Sequence, residues 1–226
     1  MSRIGYRPYV DILCIDVGGT NLKMLRSGET QRRKIKSGSN LTAETMVAKA
    51  QEACDGWTWE AVSIGYPSPV VGGRPLLNPS NLGGGWVGFD FDAAFGCPVR
   101  IINDAAMQAL GSYHGGRMLF LGLGTGMGSA MIEDGVLAPL ELGHMPFRTK
   151  CYEYYTGKAG LKRQGFDAWR DTVFEVVDGF VAAIEPDYVV LGGGNVKKLE
   201  ALPNRCERGH NSNAFKGGFR LWEGIS

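Results

Sequence analysis

One pattern occurs twice along this chain and limits what it can become. Residues from Tyr9 to Val17 are mostly apolar and β-branched, they run into Gly18-Gly19-Thr20, and a second apolar stretch follows from Asn21 to Leu25. The same order returns about a hundred residues later, a distance that suggests a repeated unit rather than one hairpin copied next door. There Met118 to Leu123 is the incoming strand, Gly124-Thr125-Gly126 the turn, and Met127 to Ile132 the returning strand. Two strand, glycine turn, strand units imply two lobes built on one plan, placed at 1–104 and 105–226. With 226 residues, each lobe can bury a core without metal or disulfide support.

The segments between the hairpins fill out a mixed α/β order. A third strand is expected at Gln31 to Lys36. A helix follows from Thr42 to Cys54, with Met46, Val47, Ala50 and Ala53 at helical spacing, and then a strand from Ala61 to Tyr66, giving βββαβ. Pro98 to Ile102 is a further short strand, and Asn103-Asp104-Ala105-Ala106 opens an Ala-rich helix in which Asp104 is an N-cap or a functional carboxylate. Phe166 to Ile184 places Trp169, Val173, Val176, Val177, Phe180 and Ile184 on one face, and Pro186 stops it. Asp187 to Leu191 is a last strand, closed by Gly192-Gly193-Gly194.

Composition narrows the partners. A formal net charge of +1 gives no global attraction for nucleic acid or an anionic membrane, so neither is expected as a partner. The tail from Asn195 to Arg220 is the one local exception, with Lys197, Lys198, Arg205, Arg208, Lys216 and Arg220 against two glutamates. It reads as a polyanion track or as solvated charge. The start lacks the apolar stretch of a signal peptide and no run approaches the ~18 apolar residues that span a bilayer. Five scattered cysteines without a CxxC pair fit a reducing compartment, and the cytoplasm is the expected location.

The 34 glycines gather in clusters, which indicates turns whose backbones approach something closely. Phosphoryl transfer needs backbone N–H groups around phosphate oxygens, a carboxylate near the metal, and a base on the attacking hydroxyl. The two glycine turns with their threonines suit the first need, although either alone is also an ordinary hairpin turn. Asp16 suits the second, because a carboxylate at the end of a buried strand is costly unless it has a partner such as magnesium or its water. Glu141-Leu142-Gly143-His144 pairs a carboxylate with an imidazole, and Gly143, Pro139 and Pro146 oppose a helix there, so a polar loop facing a hydroxyl-rich ligand is expected.

Taken in order, Asp16-Val17-Gly18-Gly19-Thr20-Asn21-Leu22-Lys23, Asn103-Asp104-Ala105, Leu123-Gly124-Thr125-Gly126-Met127-Gly128, Glu141-Leu142-Gly143-His144 and Leu191-Gly192-Gly193-Gly194 resemble the ROK sugar kinases. The resemblance implies an actin-like, ribonuclease H-like two-lobed fold with mixed sheets and a central cleft, and a homodimer. It makes Asp104 the base, with Asn81, Asn103, Glu141, His144 and Glu153 on the remaining sugar hydroxyls. Asp16, Gly18, Gly19, Thr20, Asn21 and Lys23, together with Gly124, Thr125 and Gly126, would hold donor phosphates, with Mg²⁺ held indirectly by Asp16. Gly192, Gly193 and Gly194 would line a nucleoside pocket. Only Cys151 stands where zinc-bearing members carry a cysteine-rich run, so no structural zinc is expected and the 146–155 loop must order itself through Phe and Tyr packing.

Gly128-Ser129-Ala130 and Gly160-Leu161-Lys162-Arg163 look like the polyphosphate glucokinase branch, which puts inorganic polyphosphate beside ATP as donor. The acceptor implied is the 6-hydroxyl of glucose, with fructose, mannose and N-acetyl hexosamines as alternatives. A ROK repressor is disfavoured because about ten residues precede the first strand, too few for a DNA-binding domain. A catalytically idle sugar binder is the remaining alternative, against which Asp104 and both turns argue.

Overall fold

A computed structural model describes residues 11–223. They fall into two compact units, 11–104 with 218–223, and 105–217. Tyr9 and Val10, expected in the first strand, lie outside the described residues.

The first unit is built on a five-stranded sheet. β1 (Ile12–Val17) and β4 (Ala61–Tyr66) are buried along their whole length, as expected of strands covered on both faces. β2 (Asn21–Arg26) and β3 (Arg33–Lys36) extend the sheet antiparallel on one side, while β1, β4 and β7 (Val99–Asn103) run parallel. The order is β3-β2-β1-β4-β7. The third strand begins two residues later than the sequence pattern suggests, at Arg33.

Helix α1 (Ala43–Ala53) is closed at its start by a reciprocal pair. Thr42 Oγ1 accepts from the Thr45 N–H at 3.2 Å, and Thr45 Oγ1 accepts from the Thr42 N–H at 2.9 Å, which satisfies two end donors at once. Between β4 and β7 lie a short hairpin, β5 (Val70–Val71) with β6 (Arg74–Pro75), and helix α2 (Phe91–Phe95). Asp90 caps α2 through the Ala93 N–H, and Gly96 ends it at φ 70, a conformation glycine adopts without a Cβ penalty. Trp86 is fully buried beside Tyr66, and its Nε1–H donates to the carbonyls of Gly83 at 2.8 Å and Leu41 at 3.3 Å. That pins the glycine-rich 83–85 segment.

The second unit repeats the plan. β8 (Arg117–Leu123), β9 (Met127–Glu133) and β10 (Val136–Leu140) are antiparallel, and β13 (Tyr188–Gly192) and β14 (Cys206–Arg208) join parallel on the other side of β8. The order β10-β9-β8-β13-β14 matches that of the first sheet strand for strand, with the same antiparallel and parallel pairings. The repeated hairpin in the sequence marks this repeated topology.

Helix α3 (Asp104–Ser112) follows β7 directly. Asp104 is its first helical residue and Asn103 closes the strand, so Asp104 is not the preceding N-cap position. The 146–155 segment is not an open loop. It holds a hairpin, β11 (Pro146–Phe147) with β12 (Lys150–Cys151), and runs into α4 (Tyr152–Thr156), which α5 (Lys158–Gln164) follows. Aromatic packing orders it as expected: Phe147 stacks on Tyr152 at 4.7 Å and meets Tyr155 edge-on at 5.5 Å. Helix α6 (Phe166–Ile184) lays Trp169, Val173, Val176, Val177 and Phe180 onto the sheet, and ends at Glu185 in the left-handed region just before Pro186.

Helix α7 (Asn213–Arg220) approaches its neighbours through glycines. In the second unit, a Cβ at Gly217 would run into the Met107 carbonyl, and one at Gly111 into that of Asn213. In the first unit, a Cβ at Gly218 would strike Cys14 Sγ. Ser63 Oγ donates to the Gly218 carbonyl at 2.5 Å and accepts from Trp222 Nε1 at 2.8 Å. No described helix is long and apolar enough to cross a membrane.

Candidate functional site

The first glycine turn caps the β1–β2 hairpin. Gly18 N–H donates to the Asn21 carbonyl at 3.1 Å, and Ser37, which is 1% exposed, grips the turn from beyond β3. Its Oγ donates to the Gly18 carbonyl at 2.6 Å and its N–H to the Thr20 carbonyl at 3.1 Å. Asp16 stands directly opposite Lys23 across the hairpin, with Oδ2 2.7 Å from Nζ. The partner that a carboxylate at this strand end requires is therefore present in the chain itself, as a cross-strand ion pair. Thr20 is exposed and Asn21 half-buried at the turn.

Asn81 belongs to this turn as well. A Cβ at Gly19 would collide with the Asn81 side-chain amide, so glycine at 19 is what lets Asn81 lie on the turn. The segment carrying Asn81 is tied at both ends: Asn78 Oδ1 accepts from the Trp86 N–H at 3.0 Å, and a Cβ at Gly83 would come within 2.7 Å of the Asn40 carbonyl. Asn103 Nδ2 donates to the Ser68 carbonyl at 3.5 Å, and Asp104 is partly exposed at the start of α3.

The second turn is held at its carbonyls. Gly124 N–H donates to the Gly122 and Gly126 carbonyls, at 3.0 and 3.1 Å. Lys158 N–H, at the start of α5, donates to the carbonyls of Gly124 at 3.0 Å and Thr125 at 3.1 Å. Asn195 N–H donates to the Leu123 carbonyl at 3.0 Å and its Nδ2 to the Gly124 carbonyl at 2.9 Å.

Three of the polar residues marked in the sequence converge on this second turn. The Glu141-Leu142-Gly143-His144 stretch folds as a single 3₁₀ turn over Leu142–His144, between strand residues Pro139 and Pro146. That brings Glu141 Oε2 to 3.7 Å from His144 Nδ1. Glu153, on α4, has Oε1 4.0 Å from His144 Nε2 and Oε2 3.4 Å from the Met127 N–H. A Cβ at Gly126 would overlap Glu153 Oε2, and one at Gly143 would come within 2.5 Å of the Met127 carbonyl and 3.5 Å of Glu153 Cβ. Two carboxylates and an imidazole thus ring one exposed patch next to a glycine bend. Such a set can accept from and donate to several hydroxyls at once.

The third glycine run has a packing reason of its own. A Cβ at Gly192 would enter the Phe120 ring, and Gly193, at φ 83, sits against the Leu123 backbone, whereas Gly194 faces open space. Of the basic tail, Arg208 turns its guanidinium onto the Val196 and Leu199 carbonyls, and Arg220 lies at the end of α7.

Burial pushes the thiols of Cys14, Cys54, Cys97 and Cys206 up, Cys54 to about 11 and Cys206 to about 12, and Asp16 adds to the effect at Cys14. Among the described residues no three His, Cys, Asp or Glu side chains are placed to hold a metal ion. The carboxylate of Asp16 suits instead an ion held mainly by phosphate oxygens and water, the usual habit of Mg²⁺. Ser37 and Asn195 escaped the sequence reading. Each is a buried polar residue, and although Asn195 directly follows the Gly192–Gly194 run, only its burial beside a glycine turn gives it away.

The sequence profile of the ROK family matches residues 12–164, more than half of the chain. The polyphosphate glucokinase of Mycobacterium tuberculosis (strain ATCC 25177 / H37Ra) is 27% identical over 208 positions, covering 82% of this chain and 78% of that protein. The inorganic polyphosphate/ATP-glucomannokinase of Arthrobacter sp. strain KM superposes with a TM-score of 0.80 at 23% identity, covering 95% of this chain and 98% of the other. A ROK family glucokinase from Streptomyces griseus, solved in complex with glucose and AMPPNP, gives 0.70 at 18% identity, covering 93% and 98%. These two solved structures share the fold of this chain, two mixed five-stranded sheets with helices.

Proposed function

Because the chain belongs to the ROK family, we propose that it is a hexose kinase that transfers a phosphoryl group from ATP or inorganic polyphosphate to the 6-hydroxyl of glucose. One observation carries this reading: Glu141, His144 and Glu153 gather beside the Gly124-Thr125-Gly126 turn, hydroxyl-binding groups next to a backbone bend suited to phosphate. The donors named for the mycobacterial and Arthrobacter proteins support ATP and polyphosphate as the two candidates. Glucose is supported by the same relatives and by the Streptomyces complex.

In this reading Asp104 takes the proton from the sugar 6-hydroxyl as that oxygen bonds to the terminal phosphorus and the donor's bridging P–O bond breaks. ADP or a shortened polyphosphate leaves with the bond's electrons. Asn81, Asn103, Glu141, His144 and Glu153 orient the sugar, and the protein's part is positioning rather than covalent chemistry. Gly18, Gly19, Thr20, Asn21 and Lys23, and Gly124, Thr125 and Gly126, hold donor phosphates, with Gly192–Gly194 beside the nucleoside when the donor is ATP. Mg²⁺, held by Asp16 through its water, would neutralise phosphate charge. We read the protein as cytoplasmic, because its five scattered cysteines fit a reducing compartment, and as a homodimer on the strength of the family resemblance.

A product assay crossing glucose, mannose, fructose and N-acetylglucosamine with ATP and polyphosphate, with and without Mg²⁺, tests the proposal. Glucose 6-phosphate formed only with Mg²⁺ is the expected result. If no sugar and donor pair gives a sugar phosphate, the kinase reading is refuted.

A further inference from the structure

We propose that Asn195 is a positioning residue for the phosphoryl donor, setting the Gly124-Thr125-Gly126 turn in the conformation that receives phosphate. The inference rests on the reading of that turn as a donor site. A glycine bend binds an anion only if its N–H groups point outward and its carbonyl oxygens, which would repel phosphate, are occupied elsewhere. Here the carbonyls are occupied by neighbouring elements. Leu123 accepts from the Asn195 N–H at 3.0 Å, Gly124 from Asn195 Nδ2 at 2.9 Å and from Lys158 N–H at 3.0 Å, and Thr125 from Lys158 N–H at 3.1 Å. That leaves the Thr125 and Gly126 N–H groups as the turn's uncommitted donors among the described residues.

Of the two clamps, Lys158 acts only through its backbone. Asn195 acts through a side chain that is 9% exposed and fixed by its own surroundings. Gly193, at φ 83, lies against the Leu123 backbone, so the 193–195 segment is laid on the end of β8, and the Val196 and Lys198 N–H groups bond back to the Gly193 and Asn195 carbonyls. A carboxamide is the side chain that suits this place, since it donates to a carbonyl while staying neutral beside a polyanion. An aspartate of the same shape would set a negative charge against both the Gly124 carbonyl and the donor.

The test compares Asn195→Ala and Asn195→Asp with the parent, measuring KM for the donor and for glucose separately, kcat, and glucose affinity without donor by calorimetry. For Asn195→Ala, donor KM should rise about tenfold, the scale of one lost hydrogen bond, with glucose affinity within about twofold of the parent. Asn195→Asp should raise donor KM further. A merely structural role would lower the thermal midpoint while leaving donor KM unmoved, or would shift both substrates equally, and either result in folded protein overturns the assignment. Donor KM for Asn195→Asp equal to the parent's does the same. A parent that binds glucose but phosphorylates it with no donor refutes the kinase reading itself, a failure distinct from these.

Discussion

Gly126→Ala separates the two jobs that meet at the second turn. Gly126 has no positive φ, so alanine enters without backbone strain, and the only consequence is the added methyl. That methyl falls on Glu153 Oε2 and lies 3.2 Å from Glu153 Cδ, so the carboxylate must rotate away and give up its contact with the Met127 N–H. If Glu153 holds a sugar hydroxyl, the loss is one charged hydrogen bond, about 1.5–3 kcal/mol. This corresponds to roughly a 10- to 150-fold fall in kcat/KM for glucose. Donor KM should change by less than about threefold, because alanine keeps the backbone N–H offered to phosphate at this position and the side chain displaced is not a phosphate ligand. Steady-state kinetics with each substrate varied in turn, beside Glu153→Gln, provides the measurement. An unchanged glucose kcat/KM for Gly126→Ala, in protein folded by circular dichroism, would refute the idea that the glycine exists to admit Glu153 to the sugar.

Three further outcomes are expected. Asp104→Asn should lower kcat by about 10²–10⁴, the usual worth of a general base, with glucose binding retained by calorimetry. Ser63→Ala removes the hydroxyl that bonds both the Gly218 carbonyl and Trp222 Nε1, so two buried hydrogen bonds are lost; urea denaturation should show a loss of about 1–3 kcal/mol with no change in either KM. The raised thiols make stability fall on the alkaline side. Cys54 stays protonated in the folded chain up to about 11 while the unfolded chain releases its proton near 9, so stability declines between those values. Denaturation midpoints at pH 8 and pH 10.5 check this, and a Cys54→Ala variant should show a shallower decline.

The sequence disclosed the architecture where its signals are periodic. β1, β4 and α6 are long, apolar and clearly phased, and their bounds agree with the structure within a residue or two apart from the residues before Ile12. The repeated Gly/Thr hairpin disclosed a repeated sheet topology because a hairpin fixes register locally. The 146–164 region was opaque for the opposite reason. Its hairpin and two short helices are held by Phe147, Tyr152 and Tyr155 packing and by Trp169 Nε1 reaching the Thr156 carbonyl at 2.8 Å, contacts between residues that carry no helical period of their own. The site shows the same division. Glu141, His144 and Glu153 could be picked out by residue type, but Ser37 and Asn195 earn their place only through burial beside a turn, and burial is a property of the folded chain.

Matched positions in the two sheets carry different pairs. Two residues before each glycine turn, Asp16 faces Lys23 in the first hairpin, whereas Gly122 faces Gly128 in the second. The second hairpin has no space for a charged pair: a Cβ at Gly128 would press on Ala105 Cβ at 2.6 Å, and one at Gly122 on the Phe120 ring at 3.3 Å. Copying the acid and the lysine across would therefore split the helix from the strand before it added any electrostatic benefit. Of two hairpins drawn to one template, only one is able to bear charge, and the twofold likeness of the sheets stops short of their chemistry.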